Sequence, residues 1–305
     1  MQTPRPFPRA LVAAMLAAAL SGGVAAVGAD VGNHAFEFLR LAPEPEGRAL
    51  AGAHLAHAEG PAALAWNPAG LARGGTALSL SHAAWAEGTS WEWAGLTLPA
   101  GPGTAAISGG FFRTGALEGY TADGEATGEF TPLQFQLCAG YGLPLAGALG
   151  AGASIEAAFA DDGSGGRRRA IACGGGLRLD AGPLALGLAA LHLGPPLSLE
   201  EERYALPATV RLGASLEGLP GTLLHGALEW VSGEAVGLRA GVEWSPAAQF
   251  RLLGGGWAAP GQEGRSLHPT AGAVVDLGVT RFAYGFQPIS DWESSHQVAL
   301  TLLLD

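Results

Sequence analysis

Leu133-Gln134-Phe135-Gln136-Leu137-Cys138-Ala139-Gly140-Tyr141-Gly142-Leu143 reads as one amphipathic strand. Leu133, Phe135, Leu137, Ala139, Tyr141 and Leu143 share one face, and Gln134, Gln136, Cys138, Gly140 and Gly142 share the other. Side chains alternate across a strand with a period of two. The pattern recurs where Val210, Leu212, Ala214 and Leu216 alternate with Thr209, Arg211, Gly213, Ser215 and Glu217. It recurs again where Val236, Leu238, Ala240, Val242 and Trp244 alternate with Gly237, Arg239, Gly241 and Glu243. In water such a face would belong to a sheet packed on a core. A sandwich needs partner faces, yet nearly every strand here has one apolar face only. Closure into a cylinder in lipid fits better, because it pairs every backbone group and removes the sheet edges.

Outward from that stretch, the chain after Gly75 falls into about 14 segments of roughly ten residues divided by turn residues, the barrel signature. The expected strands are 75–85, 89–98, 103–113, 131–142, 148–160, 168–180, 183–193, 207–217, 222–231, 236–244, 248–258, 269–276, 279–286 and 296–303. Between Trp93 and Leu96 the apolar phase slips, and 183–193 is apolar throughout, so neither shows a clean face. Loop lengths give an independent test. Most odd-numbered connections, Thr114–Phe130, Asp161–Arg167, Gly194–Leu206, Ala259–His268 and Gln287–Ser295, are long and polar, while Ala86–Gly88 and Ser232–Ala235 are short. The even-numbered ones, such as Pro99–Pro102 and Ala181–Gly182, are short and rich in Gly and Pro. An even-stranded outer-membrane barrel alternates long outer loops with short periplasmic turns in this way. The expected fold class is therefore all-β, a transmembrane antiparallel β-barrel of about 14 strands.

Composition agrees. The 305 residues include 49 Gly and 20 Pro, and only 14% are charged. The usual charged share is roughly 25%, so a water-soluble surface of this size would be hard to cover. No segment after the N-terminus offers the roughly 20 apolar residues of a membrane helix. All 16 basic residues are Arg, and the net charge of −11 argues against nucleic acid as a partner. Residues 1–26 read as a secretory signal: Arg5 and Arg9 precede the apolar run Ala10–Leu20, and Val24-Ala25-Ala26 suits cleavage. The division expected is 1–26 signal peptide, 27–74 N-terminal plug segment and 75–305 outer-membrane barrel. Cys138 and Cys173 fall on opposite phases of their strands, so two free thiols are expected.

Ahead of the first strand stands Trp66-Asn67-Pro68-Ala69-Gly70-Leu71. Asn67 can cap a helical turn, and Pro68 suits its first position, where a missing N–H costs nothing. Trp66 can pin the entry, and Gly70 can end the turn at positive φ. The sequence order of Phe36, Phe38 and Leu39, then Arg48-Ala49-Leu50-Ala51-Gly52-Ala53, then this turn resembles the start of the PorV/PorQ family, a branch of the FadL-like outer-membrane barrels. The resemblance continues through Gly187–Pro195, where His192 stands in place of the family's usual Asn, and through Leu206–Gly213. Gly241-Val242-Glu243-Trp244, Phe250–Trp257, Tyr284–Pro288 and the closing His296–Leu304 strand complete it. It implies that the turn belongs to a plug, with Trp66, Asn67, Pro68, Ala69, Gly70 and Leu71 as its motif.

The polar phase carries Arg211, His225, Glu229, Arg239, Glu243, Arg251 and Asp276, which are read as lumen-facing. They form either a ligand-lining surface or a set of paired charges, and pairing is preferred because interior charges need partners. Trp85, Trp91, Trp93, Trp230, Trp244, Trp257 and Trp292 lie at or near strand ends, where their rings suit the lipid–water interface, with core packing as the other reading. His225 and Glu229 are four residues apart with no nucleophile between them, so no enzyme is expected, and no cofactor or metal site. The expected setting is the outer membrane of a Gram-negative-type cell, with its lipid as one partner. Resemblance to PorV implies a type IX secretion-type accessory that receives or shuttles exported proteins. The alternative, implied by resemblance to FadL, is passage of hydrophobic small molecules. The long acidic outer loops and the charged lumen favour the first, because a hydrophobic-ligand pore would need an apolar pocket.

Overall fold

In the computed structural model of the chain, the described residues are 34–85, 88–121, 123–163, 166–199, 202–258, 268–289 and 294–304. The expected signal segment, residues 27–33 of the expected plug, Trp292, and Glu200 and Glu201 of an outer loop lie outside them.

Fourteen strands close into one antiparallel barrel. In chain order they are β1 (Ala77–Ala84), β2 (Ser90–Ala100), β3 (Gly103–Arg113), β6 (Leu133–Pro144), β7 (Leu149–Asp161), β8 (Arg167–Ala181) and β9 (Leu184–Leu193), followed by β12 (Thr209–Glu217), β13 (Thr222–Val231), β14 (Gly237–Ala247), β15 (Phe250–Ala258), β16 (His268–Leu277), β17 (Thr280–Pro288) and β18 (Ser294–Leu303). The numbers missing from this series belong to two hairpins outside the barrel, β4 (Leu117–Tyr120) with β5 (Ala126–Phe130), and β10 (Leu197–Leu199) with β11 (Glu202–Tyr204). The cylinder closes where β1 pairs β18, from Ala77 opposite Leu303 to Ala84 opposite His296. No barrel-strand end lies more than three residues from its expected place. The two hairpins were not expected. Both rise from long connections, where a strand of three to five residues leaves too short a pattern to read.

The alternation points as the pattern requires. Ile107, Leu137, Ile155, Ile171, Leu238 and Val298 stand exposed on the outer wall, while Ser108, Gln136, Cys138, Arg211 and Gln297 are buried inside. An apolar outer wall around a closed ladder is the form a membrane-spanning sheet takes, and it places the chain in an outer membrane. Cys138 is buried inward and Cys173 is exposed outward, and both are free thiols. At the tip between β7 and β8, Arg167 pairs with Asp161 at 3.1 Å and Arg168 with Asp162 at 3.4 Å, both in solvent.

Two expectations are corrected. Trp91 and Trp93 are not girdle residues: both are buried inside, opposite Ala83 and Ser81 of β1. The apolar phase of β2 does change face as expected: Trp91 and Trp93 point inward, whereas Leu96 and Leu98 share the outward phase. The strand carries the two tryptophans inward because apolar groups meet it there. Trp85 and Trp257 also lie against interior cations, beneath Arg48 at 5.2 Å and Arg239 at 5.9 Å. Of the described tryptophans in that set, Trp230 and Trp244 keep the outward phase, and Trp244 is half exposed. Second, Gly70 does not end its turn. It lies inside the 3-10 helix Pro68–Arg73, which stops at Gly74. A side chain at Gly70 would strike the carbonyl oxygen of Ala58, so close approach is what requires glycine there. His192 adopts φ of 56°, beside the irregularity in pairing between β8 and β9. Such a left-handed conformation is uncommon for a residue other than glycine, and His tolerates it better than most.

Candidate functional site

Residues 34–74 thread the barrel from its long-loop end to its short-turn end. At the first end His34 forms a parallel bridge with Ala205, just past β11. At the other, Thr104 donates a hydrogen bond to the carbonyl of Gly74, beside the start of β1. By the loop rule the first end faces the outside and the second the periplasm.

The segment is held by short turns with local caps. Glu44 accepts from the Gly47 N–H at 2.7 Å and so caps the helix Pro45–Ala49, with Pro45 at the first position. The same carboxylate accepts from the Trp66 indole at 3.0 Å and lies 3.4 Å from His54. Burial alone would raise the Glu44 carboxyl, but His54 and these hydrogen bonds hold it below the usual carboxylate range. Asn67 accepts from the Ala69 N–H at 3.1 Å, as its position before Pro68 foretold, and donates to the Leu177 carbonyl of β8 at 3.1 Å. Asn67, Ala69 and Leu71 are fully buried, Trp66 nearly so, and Pro68 and Gly70 lie with them in the packed interior.

The wall makes room by carrying glycine at inward positions. A side chain at Gly152 would strike Pro68, one at Gly142 would strike Leu71, and one at Gly272 would strike Ala49. The wall then fastens the plug through its buried polar groups. Arg48 donates to Gln297 at 2.6 Å and Ser295 at 2.9 Å. Thr270 donates to the Ala49 carbonyl at 2.7 Å, and Gln297 to the Ala42 carbonyl at 3.1 Å.

The residues read as lumen-facing all project into this interior, in two groups. Arg211 meets Glu229 at 2.6 Å, donates to the Ala65 carbonyl at 3.0 Å and lies 4.9 Å from the Trp66 ring. Arg239 pairs with the same Glu229 and donates to the Ala51 carbonyl at 2.8 Å. Nearer the periplasmic end, Arg251 meets Glu46 of the plug at 2.7 Å, Glu243 at 3.3 Å and Asp276 at 3.4 Å, and Asp276 also meets Arg281. The expected pairing is present, with one addition: plug carbonyls and Glu46 complete it. His225 receives a hydroxyl contact from Ser215 at 2.9 Å, while Glu229 is engaged by the two arginines rather than by His225.

Cavities remain in the interior among the described residues. One of about 330 Å³ lies toward the outer end, between Arg40, Leu41, Trp66, Glu229, Arg239 and Trp257. Another of about 380 Å³ lies toward the periplasmic end, between Glu46, His57, Arg73, His225, Glu243 and Arg251. Beside the outer cavity is an apolar cluster that sequence reasoning missed. Phe36, Phe38 and Leu39 of the plug pack with Trp91, Trp93, Ala83, Ala158 and Ala172 of the wall. Phe38 and Trp91 meet edge to face at 6.2 Å between ring centroids, and Trp85 and Phe112 do likewise. The signal was present as the two tryptophans out of phase in β2. Expecting aromatic residues at the membrane interface turned them outward.

No protein-family model and no curated protein matches the chain by sequence. Solved structures match its fold. The Pseudomonas putida toluene transporter TodX superposes with a TM-score of 0.59 at 14% identity, covering 85% of this chain and 96% of that one. The monoaromatic hydrocarbon channel CymD gives 0.58 at 12% identity, over 88% and 97%. A Pseudomonas aeruginosa FadL homologue gives 0.57 at 12%, over 86% and 98%. The barrel thus shares its fold with these three structures. The narrower likeness to PorV and PorQ proteins, and with it the secretion reading, gains no support from these structures.

Proposed function

We propose that the protein is an outer-membrane channel for small hydrophobic molecules, aromatic ones among them, with residues 34–74 as its gate. The observation that carries this reading is the aromatic cluster at the outer end of the lumen. Beside the long acidic outer loops, the case for a protein partner rested on a lumen lacking any apolar pocket. Trp91, Trp93 and Phe112, turned inward toward the Phe36–Leu39 segment, remove that premise. Leu41, Ala42 and Trp66 belong to the cluster's margin and also line the outer cavity, so an apolar molecule entering there meets a continuous apolar surface. A few polar groups, Arg40, Glu229 and Arg239, face that surface, the mixture typical of a small-molecule site. TodX is a toluene transporter and CymD a monoaromatic hydrocarbon channel, which agrees in chemical class.

Uptake of radiolabelled toluene into cells expressing the protein tests it. Wild type should exceed the empty-vector control, and folded Trp93→Ala should fall toward that control. Wild-type uptake equal to the control, with the barrel folded in the outer membrane, would overturn the reading.

A further inference from the structure

At the outer end three metal-binding groups converge. One ligand atom each of His34, Glu37 and Glu234 lies within 4.8 Å of the other two. They come from separate parts of the chain: His34 and Glu37 open the plug, and Glu234 lies in the turn between β13 and β14.

The hydrogen bonding around His34 is unusual. Its Nε2 lies 2.5 Å from the Ser232 carbonyl oxygen, which can only accept, so Nε2 carries a hydrogen. Its Nδ1 lies 2.7 Å from Glu37 Oε1, an acceptor as well when ionised. The ring therefore faces acceptors on both sides. That is satisfied by a second proton, or by a cation that takes the Nδ1 lone pair. An imidazole held through its other N–H by a backbone carbonyl is how metal-ligating histidines are usually oriented.

Charge points the same way. Arg40 Nη1 lies 2.6 Å from Glu234 and 3.2 Å from Glu37, so one guanidinium serves two carboxylates. Glu229, 3.8 Å from Arg40 Nη2, is already engaged by Arg211 and Arg239. Access is open, because the Glu37 side chain is 40% exposed while that of His34 is only 5%.

We propose that His34, Glu37 and Glu234 form a divalent metal site of the zinc type, which staples the outer end of the plug to the β13–β14 turn. One imidazole and two carboxylates suit zinc, whereas calcium and magnesium prefer all-oxygen sets. Three protein ligands leave a coordination position for water. On binding, Arg40 releases its carboxylates and turns to Glu229.

The full chain, purified in detergent and stripped with a chelator, is loaded with zinc chloride and gel-filtered before elemental analysis. About one zinc per chain should remain, and the His34→Ala and Glu234→Gln variants should each bind at least about tenfold more weakly. His57→Ala, at the other cavity, should keep the metal, as should wild type in excess magnesium. Heat-modified mobility on gels identifies folded variants, and Glu234→Gln serves if His34→Ala does not fold. No zinc retained by wild type, or zinc retained equally by folded Glu234→Gln, would overturn the proposal. Toluene uptake is a separate readout, so failure of the metal site leaves the channel reading standing.

Discussion

Two sides of the same barrel wall use the same alternation for opposite interiors. On β1, β2, β7 and β8 the inward positions hold Ala83, Trp91, Trp93, Ala158 and Ala172, and the plug answers with Phe36 and Phe38. On β12 to β16 they hold Arg211, Glu229, Arg239, Glu243, Arg251 and Asp276, and the plug answers with backbone carbonyls, Arg40 and Glu46. Period-two patterning states which side chains share a face. It does not state what that face meets. The outer face is mostly apolar, as lipid requires, with His82 and Glu92 paired on it toward the outer rim. The inner face meets a folded segment, so its chemistry follows the plug.

The largest expected effect comes from removing what both sides face. Deleting residues 36–72 should raise single-channel conductance in planar bilayers severalfold, because the plug fills the lumen between the two cavities. Unchanged conductance from a folded barrel would mean that the two interior chemistries meet each other without the segment.

The charged side should then be the more brittle. Glu229→Ala leaves Arg211 and Arg239 inside with no carboxylate, and breaking a buried pair costs about 3–5 kcal/mol. The loss should show as a lowered midpoint in urea-induced unfolding followed on gels. Trp93→Ala on the apolar side also costs about 3–5 kcal/mol if its space stays empty, but there Phe38 and Leu39 can shift inward. We expect the smaller loss at Trp93. The reverse order would show that the aromatic cluster, rather than the ion network, holds the plug.

Glycines give a finer probe of the same contact. Gly152→Val should drive Pro68 from the wall and raise conductance, because its side chain has no space beside the plug. Gly226→Ala, where an added methyl meets nothing within 4 Å, should leave conductance and stability as they are.

The barrel was legible because fourteen strands repeat one rule, and most outward side chains answer to the same solvent. Arg211, Glu229, Arg239 and Arg251 were legible as interior for that reason. Their partners were not. Arg251 meets Glu46 from 205 positions away, and Arg40 meets Glu234 from 194. No local pattern carries such a pairing. Glu44 was missed for a related reason: its cap is local, but its bond to the Trp66 indole joins two plug turns that periodicity does not relate. Gly142, Gly152 and Gly272 were visible as an inward phase rich in glycine. Their meaning, a second chain segment pressed against the wall, becomes clear only with the plug in place.

The smallest effect is expected at Arg167, and its smallness is the point. Arg167 meets Asp161 at 3.1 Å, and Arg211 meets Glu229 at 2.6 Å, two guanidinium–carboxylate contacts of similar form. The Arg167 side chain is 84% exposed and that of Arg211 is 4% exposed. In solvent the Coulomb attraction is screened, and ordering two long side chains offsets much of it, so such pairs contribute about 0.2–1 kcal/mol. Arg167→Ala should therefore shift the urea midpoint slightly, and the shift should vanish in high salt. Glu229→Ala should lose its several kilocalories with far less dependence on salt, because buried pairs are screened much less. Equal losses from the two variants would mean that the interior of the charged wall is wet, and that burial does not set the two sides of the barrel apart.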